Sequence, residues 1–171
     1  HVRSRRQRQM CIRDSDRVVH HVIMCIFVVL AILGITLLGT SSLKDIEESK
    51  KAEIVINNLT ELRTALEKYY QLTKHYPDLT KDGAKDNLRI LDYTDETGKK
   101  ISFAEIYGRN AIPKTPESEY VGETNEVFNT KNFDNGTEKG GWNYDYTNQT
   151  GEIHANLVEN AYLQGIKWEE Y

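Results

Sequence analysis

The feature that most restricts the fold of this chain is a run of 26 residues, 18–43, without a charged side chain. Its centre, residues 22–39, is nearly all apolar. About 20 apolar helical residues, each rising 1.5 Å, cross the hydrocarbon core of a bilayer, which is about 30 Å thick. A soluble core helix usually has a polar stripe over this length, and the apolar part of a cleaved signal peptide is usually shorter. The run therefore predicts a membrane-spanning helix.

The charges on either side of this run are unevenly distributed. Residues 1–19 contain six arginines and two aspartates, whereas residues 44–171 contain 16 basic and 24 acidic side chains. A basic segment before a span and an acidic domain after it follow the positive-inside pattern, with the acidic domain exported. This domain lacks the clustered basic residues that bind phosphates, so nucleic acid is not an expected partner.

The first residues of the chain need a separate interpretation. Residues 6–15, RQRQMCIRDS, are similar to a translated sequencing adapter. We therefore interpret residues 1–17 as an artefact or a leader, and we exclude them from functional inference.

A helical pattern continues beyond the apolar run. Residues 40–76 contain neither glycine nor proline. Mostly apolar residues recur there at steps of three and four, which aligns them along one side of a helix: Ala52, Val55, Leu59, Leu62, Leu66, Tyr69, Thr73 and Tyr76. Pro77 disfavours helical geometry in the residue before it, so we predict that the helix ends at residues 75–76. One nearly continuous helix should span residues 18–76.

The residues after this helix predict turns and short strands. Residues 101–107 fit either a short helix or a strand, and residues 129–141 read as a loop. Residues 142–146 and 152–157 alternate apolar and polar side chains, which predicts a β-hairpin with one buried face. Because an isolated hairpin is marginally stable, we expect it to pack on the apolar side of the helix.

The predicted fold class is therefore α+β. Its parts are a long N-terminal helix and a small antiparallel β-sheet packed on that helix. The helix is transmembrane over residues 18–43 and amphipathic from residue 44 to 76. Residues 44–171 form the exported domain.

Three segments resemble type IV pilins and type II secretion pseudopilins. Residues 28–35 (VVLAILGI) are similar to the apolar core of that family's N-terminal helix. Residues 66–70 with 75–79 are similar to the end of its helix, and residues 140–145 with 151–156 to its terminal hairpin. The resemblance implies a pilin-like fold and a structural subunit of a pilus or pseudopilus filament. Such a subunit is held in the bacterial inner membrane by a single pass and later joins a cell-surface or periplasmic filament.

The same resemblance implies partners and contact residues. The partners are the lipid bilayer before assembly, identical subunits in the helical filament, and the assembly machinery. The small residues Gly34, Thr36 and Gly39 permit close approach of helices. The implied filament and membrane positions are Val28, Val29, Leu30, Ile32, Leu33, Gly34, Ile35 and Gly39.

The chain departs from this family at the processing site. Family members have a glycine, then a phenylalanine and, four residues later, a glutamate before the apolar run. Aligned on residues 28–35, these positions hold His20, His21 and Cys25. Prepilin peptidase is thus a partner that the family implies but whose recognition motif is not intact here. The alternative function is a membrane-anchored, exported binding domain that does not polymerise.

The chemical motifs of common enzymes and metal sites are missing from the sequence. It contains no phosphate-binding G-x-x-x-x-G-K-[ST], no H-E-x-x-H and no paired C-x-x-C, so we expect neither an enzyme nor a cofactor. Oxygen atoms of Asp134, Asn135 and Glu138 could bind calcium, as in some pseudopilins. These residues lack the ordered spacing of a calcium loop, so a solvated turn is favoured.

Overall fold

A computed structural model describes residues 3–134 and 139–171, with the backbone alone for residues 3–19, 38, 40 and 41. The residues up to Ile46 form one compact unit, and Glu47–Tyr171 form a second. The elements in chain order are helix α1 (Arg3–Thr73), a 3₁₀ turn (Leu88–Leu91), strands β1 (Tyr93–Thr94) and β2 (Lys100–Ile101), helix α2 (Phe103–Tyr107), and strands β3 (Val127–Asn129), β4 (Trp142–Tyr144) and β5 (Ile153–Ala155). This layout is α+β, as predicted.

Helix α1 continues without interruption from the apolar run into the amphipathic segment, which confirms the predicted continuity. It ends at Thr73, two residues before the predicted end. Lys74 adopts the left-handed conformation, with φ of 61°, while its N–H still donates to the Tyr70 carbonyl at 2.8 Å. The Thr73 hydroxyl donates to the His75 carbonyl at 2.8 Å. The chain therefore leaves the helix through local hydrogen bonds before Pro77 is reached.

The apolar side of the second part of α1 is buried, as its spacing predicts. Six of its residues are at most 3% exposed: Ala52, Val55, Leu59, Leu62, Leu66 and Tyr69. They belong to the core of the second unit together with Phe103 of α2, Trp142 of β4 and Ile153 of β5. Since burying a large apolar side chain contributes about 1.5–3 kcal/mol, this stripe is a major source of the unit's stability.

The predicted hairpin is present, but its sheet is not wholly antiparallel. Strands β4 and β5 pair antiparallel, with Trp142 opposite Ala155. Strand β3 lies on the other side of β4 and runs parallel to it, with Val127 opposite Trp142. The prediction of an antiparallel sheet is therefore wrong for β3. Parallel neighbours need a connection of about a dozen residues, and residues 130–141 supply it.

The polar side of the hairpin is buried as well, in contrast to the predicted single buried face. Asn143 is 6% exposed and His154 is 8% exposed. The Phe133 ring lies 4.6 Å from the His154 ring, measured between centroids. Asn143 Nδ2 donates to Asn156 Oδ1 at 3.3 Å. These contacts cover the second face, and the bond between the two amides compensates part of the cost of burying polar groups.

Two segments of ambiguous pattern acquire their structure from packing. Residues 101–107 contain both predicted alternatives, because β2 ends at Ile101 and α2 begins at Phe103. The C-terminal residues 158–171 form turns, yet Tyr162 and Trp168 are fully buried. The Tyr162 hydroxyl donates to the Pro116 carbonyl at 2.7 Å, so the C-terminal segment is part of the domain core.

Candidate functional site

The first part of α1 presents a continuous apolar surface. Its exposed large side chains include consecutive residues 26–30, and successive helical residues are about 100° apart, so the surface surrounds the helix. Six of the predicted filament positions are between 51% and 71% exposed: Val28, Val29, Leu30, Ile32, Leu33 and Ile35. The helix is long and apolar enough to cross a membrane. An apolar surface of this extent indicates contact with lipid or with another protein.

Two glycines interrupt the bulky side chains of this surface. A Cβ atom added at Gly34 or Gly39 would have no neighbour within 4 Å. Between them, the Thr36 hydroxyl donates to the Leu33 carbonyl at 2.9 Å, so it is satisfied within the helix. The structure thus places all eight predicted positions on α1. The glycines have no side chain to hold a neighbour away, so another helix could approach α1 closely there.

The positions aligned with the family's processing motif also lie on α1. The rings of His20 and His21 are 6.3 Å apart, and the free thiol of Cys25 is exposed. These three residues place no carboxylate at the start of the apolar surface. The charge pairing that the family makes with its glutamate therefore has no counterpart at these positions.

The predicted calcium ligands are only partly described. The Asp134 N–H donates to Asn132 Oδ1 at 2.8 Å, which stabilises a local turn. Asn135 and Glu138 lie outside the described residues. Within 3–134 and 139–171, no group of three or more histidine, cysteine, aspartate or glutamate residues is placed to hold a metal ion. Calcium binding stays a prediction.

A contact between α1 and β5 was not predicted from the sequence. Arg63 Nε and Nη2 both donate to the Ile153 carbonyl, at 3.2 and 2.8 Å. Burial lowers the pKa of Arg63, and the nearby Glu152 carboxylate opposes this shift. Helical spacing places Arg63 next to the apolar stripe, but no sequence signal identifies a partner 90 residues away.

A groove of about 430 Å³ lies beside this contact. Its lining includes the basic residue Arg63 and the acidic residues Glu67 and Glu152. The Thr150 hydroxyl in the groove donates to Asp145 Oδ2 at 3.0 Å and stabilises the hairpin turn. Through this bond the hydroxyl helps to hold the turn between β4 and β5.

The described residues include an exposed apolar helix segment and a folded unit whose first residues lie on the same helix. The exposed apolar side chains of this helix segment are suited to association with other apolar surfaces. In comparisons with known proteins, no family model matches the chain, and no curated protein or solved structure matches it significantly.

Proposed function

We propose that this chain is a structural subunit of a bacterial type IV pilus-like or type II secretion pseudopilus filament, which assembles through its N-terminal helix. The observation that supports the proposal most is the change of environment along α1. Residues 22–37 expose apolar side chains, whereas residues 52–69 bury theirs in the domain core. One part of the helix is thus committed to its own domain, and the other part is available to lipid or to other subunits.

Before assembly, the subunit is held in the inner membrane by residues 22–39, with the acidic domain exported. The apolar length supports this placement, and so does the helical geometry. A helix bonds its backbone groups internally, which is required where no water is present to bond them.

Assembly then exchanges lipid for the same helix segments of neighbouring copies. Lipid tails are as apolar as leucine, so the hydrophobic effect gives little driving force for this exchange. Close packing at Gly34 and Gly39 would supply the attraction. Extraction from the bilayer requires a separate motor, because the sequence contains no nucleotide-binding motif.

A membrane-anchored, exported binding domain that does not polymerise is the second candidate. The observation that favours it is the departure at His20, His21 and Cys25 from the family's processing motif. Because this motif is not intact, cleavage by prepilin peptidase is not part of the proposed function.

Crosslinking in cells distinguishes the two functions. Leu30, which is 58% exposed, is replaced with cysteine after Cys11 and Cys25 are changed to serine. In cells that contain the assembly machinery, a filament subunit gives a ladder of crosslinked copies that vanishes without the motor. The variant Leu72→Cys is the matched control, since Leu72 is 56% exposed but lies outside the apolar run.

An anchored domain gives a different result. Position 30 then yields monomers, or at most dimers, with and without the motor. If the domain is also exported correctly, the filament function is rejected and the anchored domain is retained.

A further inference from the structure

The three-stranded sheet has two outer strands, β3 and β5, and their edges are covered differently. On β5, Ile153 and Ala155 are at most 1% exposed, and Arg63 of α1 donates twice to the Ile153 carbonyl. On β3, two residues are half-buried and the third, Asn129, is exposed. The edge of β5 is therefore closed by a side chain of α1, whereas solvent reaches β3.

The backbone of β3 has groups that point away from the sheet. The Glu126 carbonyl accepts from an N–H of β4 at 2.8 Å, and the Thr130 N–H donates to a β4 carbonyl at 3.0 Å. Successive residues of a strand direct their N–H and C=O groups to opposite edges, so Val127 and Asn129 direct theirs outward. Among the residues that the structure describes, no hydrogen bond reaches these outward groups.

A groove of about 360 Å³ adjoins Val127. Its volume is within the range of about 300–1,000 Å³ that ligand clefts have. Its lining also includes Glu126, Lys85 and the turn of residues 79–83. Lys85 and Glu126 form an ion pair, so their charges are balanced. The groove offers space beside β3 for residues of a further strand, which would lie about 4.8 Å away.

The face of β3 that carries the Phe128 side chain has a free positive charge. Lys139 Nζ lies 5.8 Å from the centre of the Phe128 ring. Among the described residues, Lys139 forms no ion pair with a carboxylate. Directly opposite residues of two paired strands have their side chains on the same face. A side chain placed opposite Phe128 by a further strand would therefore lie close to the Lys139 ammonium group.

We propose that the outer edge of β3 binds an extended segment of another protein, which pairs antiparallel with Val127–Asn129 and places an acidic side chain opposite Phe128. The antiparallel direction is the more stable one per residue, and its hydrogen-bonded residues exchange both N–H···O bonds. Val127 and Asn129 thus each bond one residue of the segment, and Lys139 pairs with its carboxylate.

In such strand addition the backbone bonds give affinity and the side chains give specificity. The three-residue length of β3 restricts the pairing to a short segment. Since the edge lies wholly within the second unit, this inference depends neither on membrane insertion nor on filament assembly.

Peptide binding to the full chain in detergent micelles tests the pairing. The probe is acetyl-Thr-Val-Glu-Val-Thr-amide, whose glutamate aligns with Phe128 and whose valines align with Val127 and Asn129. Nuclear magnetic resonance of the isotope-labelled chain gives the exchange rate of each amide. Millimolar probe should slow exchange at Val127 and Asn129 severalfold and leave Phe128, which already bonds to β4, unchanged. A probe with lysine in place of glutamate should bind severalfold more weakly.

Two methylated probes show whether backbone bonds carry the binding. In an antiparallel pair the N–H groups of the two valines face β3, whereas the N–H of the glutamate faces solvent. N-methylation of both valines should therefore abolish the protection, and N-methylation of the glutamate should leave it unchanged. If the two methylated probes behave alike, or if their order is reversed, the antiparallel pairing is rejected.

Variants of the chain test the backbone of the same edge. Val127→Pro removes one outward N–H but keeps the bonds to β4, and proline is tolerated at edge positions of this kind. It should abolish the protection of Asn129 by the probe, with an unchanged near-ultraviolet circular dichroism spectrum. Phe128→Pro removes a bond within the sheet and should lower the melting temperature. If Val127→Pro does not fold, the methylated probes still decide whether this edge pairs.

A charge reversal tests the acidic preference. Lys139→Glu should reverse the order in which the glutamate and lysine probes bind. Lys99→Glu makes the same change at an exposed position on the turn between β1 and β2, and it should leave the order as it is. Equal binding of the two probes to the unchanged chain would reject an acidic partner and overturn the proposal.

Two further results would also overturn it. Unchanged exchange at Val127 and Asn129 with every probe would show that the edge does not accept a strand. Slow exchange there without any probe, which becomes fast on dilution of the chain, would assign the edge to a second copy. Neither result bears on the filament function, because the crosslinking at position 30 reports on a different part of the chain.

Discussion

Arg63 and Ile153 are joined by two hydrogen bonds, from the guanidinium Nε and Nη2 to a single main-chain carbonyl. Ile153 belongs to β5, which is an outer strand of the three-stranded sheet. An outer strand has backbone groups without a strand partner, and these can pair with other chains. Arg63 occupies one such carbonyl and ties the hairpin to α1.

Replacing Arg63 with Met should destabilise the second unit by about 1–3 kcal/mol, because the buried carbonyl loses both donors while the apolar stem is kept. Denaturant unfolding of the full chain in detergent micelles, followed by the fluorescence of Trp142 and Trp168, measures the loss. Lys68→Met, at an exposed position of α1, should change the free energy by less than about 0.5 kcal/mol. Equal effects of the two changes would show that the Arg63 contact does not stabilise the fold.

The buried apolar stripe of α1 is the basis of a second prediction. Leu62 is fully buried, so Leu62→Ala should lower the free energy of unfolding by about 2–5 kcal/mol through lost burial and the cavity left behind. Leu72→Ala removes the same atoms from a side chain that is 56% exposed, and it should cost less than about 0.5 kcal/mol. A small effect at Leu62 would mean that this side of α1 is not part of the core in solution.

Gly151 leaves room for the ring of Tyr76. Its φ is 71°, and a Cβ atom there would overlap the ring. Gly98 has a φ of 83° but no neighbour within 4 Å of a Cβ position. Gly98→Ala should therefore cost only the left-handed strain of about 1–2 kcal/mol, and Gly151→Ala should cost about 1–3 kcal/mol more because of overpacking. Thermal unfolding compares the two, and equal costs would show that Tyr76 moves aside freely.

Asp145 should make stability depend on pH. The residue is 3% exposed. Its Oδ1 accepts from the Asn148 N–H at 2.9 Å, and its Oδ2 accepts from the Thr150 hydroxyl at 3.0 Å. Burial alone raises the pKa of this carboxyl, but the hydrogen bonds from Asn148 and Thr150 outweigh it and leave the pKa below its ordinary value. The contribution of Asp145 is therefore complete above the ordinary aspartate pKa of about 4 and is lost as pH falls further.

Unfolding free energies measured across this acidic range test the assignment. Asp145→Asn should lower stability at neutral pH and flatten its decline below about pH 4, because the variant has no carboxylate to protonate there. Glu96→Gln, at an exposed position, is the control. An unchanged acid profile in Asp145→Asn would assign the decline to other carboxylates.

Leu163 has a φ of 57°, in the left-handed region, and this strain can be measured directly. Leu163→Gly and Leu163→Ala both remove the apolar side chain, but only glycine relieves the left-handed conformation. The glycine variant should be more stable than the alanine variant by about 1 kcal/mol. Chemical unfolding of the two variants gives the difference. A more stable alanine variant would indicate that the loop takes another conformation in solution.

Several parts of this fold follow from the sequence because they depend on local periodicity. The recurrence from Ala52 to Tyr69 predicts which side of α1 is buried, and all six apolar positions there are buried. The alternation in residues 142–146 and 152–157 predicts the antiparallel pairing of β4 with β5. The uncharged run predicts a helix that is long and apolar enough to span a membrane. The spacing of side chains in helices and strands is fixed by backbone geometry, so such patterns can be recognised in one sequence.

Other parts were decided by contacts between distant residues. The parallel pairing of β3, the bond from Arg63 to Ile153 and the burial of Trp168 in the core have no local pattern. The end of α1 depends on left-handed Lys74, a conformation that lysine does not favour by itself. Each of these features is stabilised by packing or hydrogen bonds formed only after the chain has folded. The sequence by itself therefore determined the elements with a regular period, and the tertiary structure decided how the strands are ordered and which polar groups lie buried between them.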